Sequence, residues 1–205
     1  MKVLLNFLNT LFLTGCSVFG VMSVEEAGYD VVKENGRIQV RLYKPMVVAQ
    51  TEVDAIYDEA SNKAFSRLFN YINGNNKKQQ KISMTAPVIM DPKAEEIAMT
   101  APVFQEKSGK FWLMQFVLPK EYTLDIAPVP TDTSITLKGI PSKKVAVLRY
   151  SGFLSEQSIT EKTKELNAWL DAEGLKPISA ARSAGFDPPW TLPFLRRNEV
   201  HIDVE

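Results

Sequence analysis

Few side chains in this sequence could carry out catalysis or hold a metal ion. The 205-residue chain contains one histidine, His201, and one cysteine, Cys16. Zinc sites are built from several His and Cys ligands, so the chain offers too few of them. A Ser-His-Asp triad also lacks support, because Ser151 has no glycine two residues earlier to form the sharp turn on which such a nucleophile sits. We therefore do not expect an enzyme.

His201 lies in a segment with apolar residues at every second position. Val200, Ile202 and Val204 predict one buried face of a strand. His201 shares the opposite face with Glu199, so we expect the imidazole to face solvent.

Cys16 follows a segment that is typical of an exported protein. Lys2 precedes a mostly apolar run over 3–13, and small residues then lead to Cys16. Leu-Thr-Gly-Cys at 13–16 resembles the bacterial lipobox, in which the cysteine sulfur takes a diacylglyceryl group. We predict that residues 1–15 are a lipoprotein signal peptide, that Cys16 is the lipid attachment site, and that residues 16–28 form a tether.

Ser17 follows the lipobox where an Asp would indicate retention in the inner membrane. The predicted location is therefore the outer membrane, with the protein facing the periplasm and held by the lipid alone. If the signal is not cleaved, the alternative is a cytoplasmic protein in which this segment is a buried helix.

The composition is that of a folded protein that does not bind nucleic acid. Lys and Arg number 24 and Asp and Glu number 24, so there is no net positive charge to attract a phosphate backbone. No run of 18 apolar residues occurs, so no membrane-spanning helix is expected. We expect a single compact domain over 29–205 and a monomer.

Hydrophobic periodicity predicts strands and two long helices. Asn35-Gly36 between two alternating segments predicts a β-hairpin. Apolar residues four apart predict a first helix from Asp54 to Gly74, and a Ser158-x-x-Glu161 capping box predicts the start of a second helix that ends at Gly174. Further strands are predicted over 46–53, 82–88, 97–103, 111–118, 134–138, 145–150, 178–186 and 198–205.

The element order repeats. Met-Thr-Ala-Pro-Val occurs at 84–88 and again at 99–103, and three strands, a helix and two strands are predicted in each of two halves, 29–108 and 109–205. We predict an α+β fold in which two pseudo-repeats of strands plus one long helix form a distorted, barrel-like antiparallel sheet with two helices.

Four segments together resemble the SOUL haem-binding protein family. They are Lys-Ile-Ser-Met-Thr-Ala-Pro-Val at 81–88, Phe-Val-Leu-Pro at 116–119, Val-Leu-Arg-Tyr-Ser-Gly at 147–152, and Phe-Asp-Pro-Pro-Trp-Thr-Leu-Pro-Phe-Leu-Arg-Arg-Asn-Glu-Val at 186–200. The resemblance implies a fold similar to the ligand-binding domain of bacterial drug-sensing regulators. It also implies non-covalent binding of haem or a related tetrapyrrole in an apolar groove beside the first helix.

Carried onto this chain, the resemblance implies a set of site residues. Phe65, Leu68 and Phe69 would form the wall of the groove, and Trp190 and Leu192 its lid. Two helix positions that are basic in some relatives fall on Asn62 and Asn70 here, so Lys63 or Arg67 would have to meet the propionates from neighbouring positions. Some relatives have an axial His before the first helix, but residues 29–57 contain none, so the axial ligand stays unknown.

Two other functions remain open at this point. One is an enzyme that acts on an apolar small molecule in the same groove, with Glu59 or Glu199 and a tyrosine as its acid and base. The other is a structural module of the cell envelope without a ligand. The favoured function is haem buffering or trafficking in the envelope.

Overall fold

The computed structural model of the chain describes residues 24–92, 110–188 and 190–205. Neither helix in these ranges is long and apolar enough to cross a membrane. The elements, in chain order, are β1 (Glu25–Glu26), β2 (Tyr29–Asn35), β3 (Ile38–Tyr43), β4 (Met46–Ala55), α1 (Tyr57–Ile72), β5 (Thr85–Ala86), β6 (Val88–Pro92), β7 (Lys110–Val117), β8 (Ile135–Ile140), β9 (Lys143–Tyr150), α2 (Glu156–Glu173), β10 (Arg182–Gly185), a 3-10 helix (Pro193–Leu195) and β11 (Asn198–Asp203).

The predicted α+β architecture is confirmed. Nine strands form one antiparallel sheet in the order β2-β3-β9-β11-β10-β6-β7-β4-β8, and β1 pairs in parallel with β5. The predicted hairpin joins β2 to β3, with Asn35 opposite Ile38 and Gly36 at a φ of 58°. Glycine adopts this left-handed conformation without the steric cost that a side chain adds.

The sheet contains two βαββ units, and each unit is extended by the strand that precedes the other unit in the chain. One unit is β4-α1-β6-β7 and the other is β9-α2-β10-β11, and β6 joins β10 between them. β3 precedes the first unit but pairs with β9, whereas β8 precedes the second unit but pairs with β4. The repeats therefore run over 38–117 and 135–203. The predicted boundary between residues 108 and 109 was wrong, because β7 pairs with β6 and β4 of the first repeat.

Each helix buries one apolar stripe against its own repeat. α1 packs on β4 and β7 through small residues, since Ala60 and Ala64 are fully buried and let the helix approach the sheet closely. α2 packs on β9 and β11 through Leu166 and Leu170. Both helices lie on one face of the sheet, which we call the outer face.

The opposite, inner face is buried by curvature. Val145 and Val147 of β9 share an apolar cluster with Val48 of β4 and Val117 of β7. Three strands separate β9 from β7 in the sheet order, so these side chains meet only because the sheet curls into a half-barrel.

Several boundaries differ from the sequence prediction. α1 begins at Tyr57 rather than Asp54, because β4 continues to Ala55. Ala27, which was assigned to the tether, is buried on the inner face, and β1 precedes it. The first Met-Thr-Ala-Pro-Val copy forms β5 and leads into β6 around the cis Ala86-Pro87 bond. The second copy, the turn before it and the strand predicted over 97–103 lie outside the described residues.

The start of α2 is also a correction. Ser155, not Ser158, is the N-cap: its side chain accepts from the Ser158 amide, and the Ser158 hydroxyl accepts from the Ser155 amide. The helix therefore begins one turn earlier than predicted. Its C-terminus is as predicted, with Gly174 in the left-handed conformation at a φ of 65°.

Replacing the cap tests this assignment. We expect Ser155→Ala to lower the free energy of unfolding by about 1 kcal/mol, because an amide of the first turn loses its acceptor. Thr160→Ala is the matched control, since the Thr160 hydroxyl donates to the Glu156 carbonyl within the helix and does not cap a first-turn amide. Urea denaturation of both variants makes the measurement, and equal stabilities would contradict the assignment.

Candidate functional site

An aromatic surface lies on the outer face along one flank of α1. The rings of Phe65 and Phe69 are stacked, with centroids 5.7 Å apart and planes 15° from parallel. Phe65 also meets the ring of Phe116 on β7 edge to face at 5.3 Å, which holds it in place. Phe69 is 41% exposed, so it presents an apolar edge to solvent. We call Phe65 and Phe69 the aromatic wall.

The strand register brings the loop before β11 toward this wall. Phe116 lies opposite Val88 of β6, Val88 lies opposite Gly185 of β10, and the chain then enters the loop 186–197. Two strand spacings separate Phe116 from Gly185, or about 10 Å. The loop therefore begins on the same end of the sheet, on the far side of β6 from the wall.

The loop itself exposes large apolar side chains. Trp190 is 70% exposed, Phe194 is 70% exposed, and Leu192 and Leu195 are exposed to nearly half. Leu192 and Trp190, the predicted lid, are thus accessible to solvent on this loop. The backbone beneath them is fixed, because the Arg196 guanidinium donates to the Thr191 carbonyl at 2.7 Å.

The other predicted site residues lie elsewhere on α1. Leu68 is fully buried beneath the helix, where it supports the wall without facing a ligand. Asn62 is exposed one turn before the wall. Arg67 donates to the Glu52 carbonyl of β4, on the flank away from Phe116, and Lys63 is one turn before Arg67. The structure therefore does not bring Lys63 or Arg67 next to the aromatic wall.

A buried charge cluster occupies the inner face. The Glu199 carboxylate, fully buried, accepts two bonds from Arg41 at 2.8 and 3.1 Å, one from Arg197 at 2.9 Å, and contacts His201 Nε2 at 2.7 Å. Arg41 is also fully buried and donates to Gln39 and to the Tyr43 hydroxyl. Every charge in this cluster has a partner of opposite sign, as burial requires.

The placement of His201 corrects the sequence prediction. It is 2% exposed rather than solvent-facing, because the curled sheet covers the inner face as well as the outer one. The predicted apolar face is correct, since Val200, Ile202 and Val204 pack in the cluster beneath α2.

The electrostatics of the cluster keep Glu199 ionised and His201 neutral. Burial alone would raise the pKa of the Glu199 carboxyl, but the hydrogen bonds from His201 and Arg41 outweigh it and lower that pKa. Burial lowers the pKa of His201 below its usual 6.5, the Glu199 contact opposes this, and the nearby Arg182 and Arg41 charges add to the lowering. Glu199 is therefore held as a structural anion on the inner face and is not a base in the outer groove.

Two hollows accompany these features. The inner face encloses a cavity of about 20 Å³, room for about one water, bordered by Tyr43, Arg182 and His201. An open groove of about 510 Å³ lies on the outer face between the start of α2 and strands β6, β7 and β10, with Trp112 and Ile159 on its two sides. Within the residues that the structure describes, no group of three or more His, Cys, Asp or Glu side chains could hold a metal ion.

The fold defines an α+β domain whose outer face carries an exposed aromatic surface. The family model for SOUL heme-binding protein matches residues 24–203. The chain belongs to this family.

Curated relatives extend over nearly the same span. Heme-binding protein 1 of Xenopus laevis is 28% identical over 169 residues, which cover 82% of this chain and 84% of that protein. Heme-binding protein 2 of Homo sapiens is 28% identical over 186 residues, which cover 88% and 86%.

Solved structures share the fold at low identity. The C-terminal domain of EcmrR superposes with a TM-score of 0.59 at 13% identity, covering 86% of this chain and 98% of that domain. A hydrolase from Listeria innocua has a TM-score of 0.54 at 11% identity, covering 85% and 94%. Both likenesses concern the fold alone.

Sequence reasoning missed Arg41 and Arg197 as partners of Glu199. Alternation placed Arg41 on a polar strand face, and no local signal shows that this face is covered by the far side of a curled sheet. The sequence offered one sign of this pairing. Arg41 and Glu199 each lie on the face of their strand opposite to its apolar residues.

The neutral buried His201 predicts a pH dependence of stability. Its folded pKa lies below its unfolded value, so the unfolded chain binds an extra proton as the pH falls below about 6.5, and the free energy of unfolding decreases by at most about 1.4 kcal/mol per pH unit. We expect His201→Gln to lack this decrease between pH 6.5 and the range of the carboxyl groups, because glutamine does not titrate there, while its amide can still donate to Glu199 and preserve the fold. Urea unfolding over that range makes the comparison, and parallel curves for both proteins would rule the assignment out.

Proposed function

We propose that this protein binds haem or a related tetrapyrrole non-covalently against the aromatic wall of α1. The observation that supports this is the stacked, partly exposed Phe65 and Phe69 pair on the first helix of a chain in a haem-binding family. A porphyrin is a flat, mostly apolar disc, and aromatic side chains that are already ordered can pack on it at little entropic cost.

The neighbouring surface fits such a ligand. Met84 and Val88 are partly buried against the same apolar cluster as Phe65, and Val88, opposite both Phe116 and Gly185, extends the apolar floor toward β10. Trp190 and Leu192 rise from the loop beyond that floor, and they are exposed enough to fold over a bound disc. Lys63 and Arg67 lie on the far flank of α1, so apolar packing rather than ion pairing with the propionates provides most of the affinity.

Histidine does not ligate the iron in this proposal. The one histidine of the sequence lies on the inner face with its Nε2 atom against Glu199. When bound, haem supplies the iron chemistry, and this chain contributes the wall, the floor and the lid. Whether a methionine or solvent completes the coordination is decided by spectroscopy.

The proposed setting is the cell envelope. If Cys16 is lipidated and residues 1–15 are removed, the domain is held at the outer membrane and faces the periplasm. A non-covalent site open to solvent then suits buffering or transfer of haem rather than catalysis. Neither proposed enzyme carboxylate supports a reaction, since Glu199 is paired on the inner face and Glu59 is exposed.

Removing the exposed ring tests the location of the site. We expect Phe69→Ala to weaken haem binding about tenfold, because one aromatic contact of about 1 kcal/mol and its apolar area are lost. Ile126→Ala, at an equally exposed apolar residue outside the wall, is the control. The measurement is a titration of haemin into the purified protein, followed at the Soret band.

A third variant distinguishes the wall from the groove beside α2. Thr163→Trp would fill part of that groove and leave the wall intact. Weaker binding in this variant, with unchanged binding in Phe69→Ala, would place the ligand in the groove between α2 and strands β6, β7 and β10. No saturable shift in any protein would favour a module without a haem ligand.

The axial ligand gives a separate prediction. We expect His201→Gln to leave the position and shape of the Soret band of the haem complex unchanged, because the imidazole does not reach the outer face. The comparison is made near pH 8, where His201 is neutral in both folded and unfolded chains. A shifted Soret band with an unchanged far-ultraviolet circular dichroism spectrum would show that the imidazole ligates iron.

A further inference from the structure

Exposed apolar side chains are concentrated at one end of the sheet. Phe153, 66% exposed, follows β9, and Trp190, Leu192, Phe194 and Leu195 lie in the loop before β11. We call these five side chains the apolar end. Large apolar side chains grouped on a surface mark an interaction site more often than scattered ones do.

The two loops of the apolar end form one connected unit. The Gly152 amide donates to the Pro193 carbonyl at 2.8 Å, and the Asn198 side chain donates to the Gly152 carbonyl at 3.0 Å. The Arg196 guanidinium lies over the ring of Phe153, 5.5 Å from its centroid. The apolar side chains therefore project from a braced surface with a cation at its edge.

The N-terminal strand is fastened to this same end. Glu26 pairs with Arg197 of the loop through two bonds at 2.9 and 3.0 Å. Glu25 accepts from the Lys120 amide just beyond β7, and β1 pairs with β5 just before β6. The chain that leads back to Cys16 therefore starts from the end of the sheet that carries the exposed apolar side chains.

The length of this connection decides which end can meet a membrane. Cys16 and Glu25 are nine residues apart, a reach of at most about 30 Å. A compact domain of about 180 residues has a radius of gyration of about 16 Å, which corresponds to a diameter of about 40 Å. A lipid on Cys16 thus reaches a bilayer easily beside the apolar end, but not beneath the opposite end.

We propose that the apolar end inserts into the interface of a lipid bilayer. Trp and Phe side chains favour the headgroup level of membranes, and Arg196 at the edge suits phosphate groups there. Insertion of the apolar end would be a second attachment beside the lipid on Cys16. That lipid anchor is taken from the proposed function. The insertion orients the aromatic wall beside the membrane surface, so an apolar ligand can enter directly from the lipid. Trp190 and Leu192 lie in the bilayer while the site is empty and leave it when they cover the ligand.

Trp190 provides the probe for the test. The sequence has three tryptophans, and Trp112 is buried and Trp169 half-buried, whereas Trp190 is exposed. The full chain is produced in a bacterial host that processes lipoproteins and is reconstituted, without haem, into vesicles of phosphatidylethanolamine and phosphatidylglycerol with brominated acyl chains. The emission of Trp190 is obtained by subtracting the fluorescence spectrum of Trp190→Phe from that of the unmodified chain.

We expect brominated chains to quench most of the Trp190 emission. Phe153→Ser with Phe194→Ser should restore it, because the end then loses its apolar insertion. Ile178→Ser, at an exposed apolar residue bonded to Asp203 at the opposite end of β11, should leave the quenching unchanged. Circular dichroism confirms that the surface variants fold.

Three results would overturn the proposal. Protein that does not sediment with vesicles lacks the anchor on which the orientation depends. Sedimented protein whose Trp190 emission is not quenched holds this end away from the lipid. Trp190 emission that changes with protein concentration before vesicles are added would show that a second copy covers the apolar end. Because no haem is present, a failed haem titration does not affect these outcomes.

Discussion

The ion pairs of the buried Glu199 carboxylate are the interactions on which the inner half of the structure depends. Arg41 extends from β3 across the intervening strand β9 to reach it, and Arg197 reaches it from the loop before β11. Removing one member of a buried ion pair costs about 3 to 5 kcal/mol, because the other charge is left without a partner. The three-strand span of this pair holds β3, β9 and β11 in a curve. Arg197 also forms an ion pair with Glu26 of β1. The N-terminal strand, the loop before β11 and the sheet are therefore held together.

Because these charges fill the inner face, the proposed haem site lies on the outer one. The inner cavity has room for about one water, and the side chains of Tyr43, Arg182 and His201 that border it are bonded to Arg41, Asp203 and Glu199 respectively. The outer face offers stacked rings beside a loop whose side chains project outward. The aromatic wall comes from α1 of the first repeat, whereas the loop lies between β10 and β11 of the second. The β6 to β10 pairing that joins the repeats therefore also joins the two sides of the candidate site.

The sequence allowed much of this fold to be predicted, where local chemistry dictates the structure. Asn35-Gly36 specified a hairpin, the spacing of Ala60, Ala64 and Leu68 specified the buried stripe of α1, and Gly174 specified the end of α2. The failures concern contacts between distant parts of the chain. Alternation assigns Arg41 and His201 to a polar face but does not say that curvature buries that face. Likewise, the order of elements shows a repeat, but only the pairing of β7 with β4 shows where the repeat ends.

The pairing of β3 and β8 with the opposite repeat has a further consequence for how the site forms. β3 belongs to the first repeat by sequence but completes the second unit, and β8 completes the first. Neither repeat can bury both edges of its sheet alone, and unpaired edges expose backbone groups that favour aggregation. The two repeats must therefore fold as one unit, with long-range pairing that slows folding. The aromatic wall and its facing loop then come together only in the complete domain, so ligand affinity reports on the integrity of both repeats. A tetrapyrrole that contacts both sides would stabilise the whole domain by mass action and not one repeat.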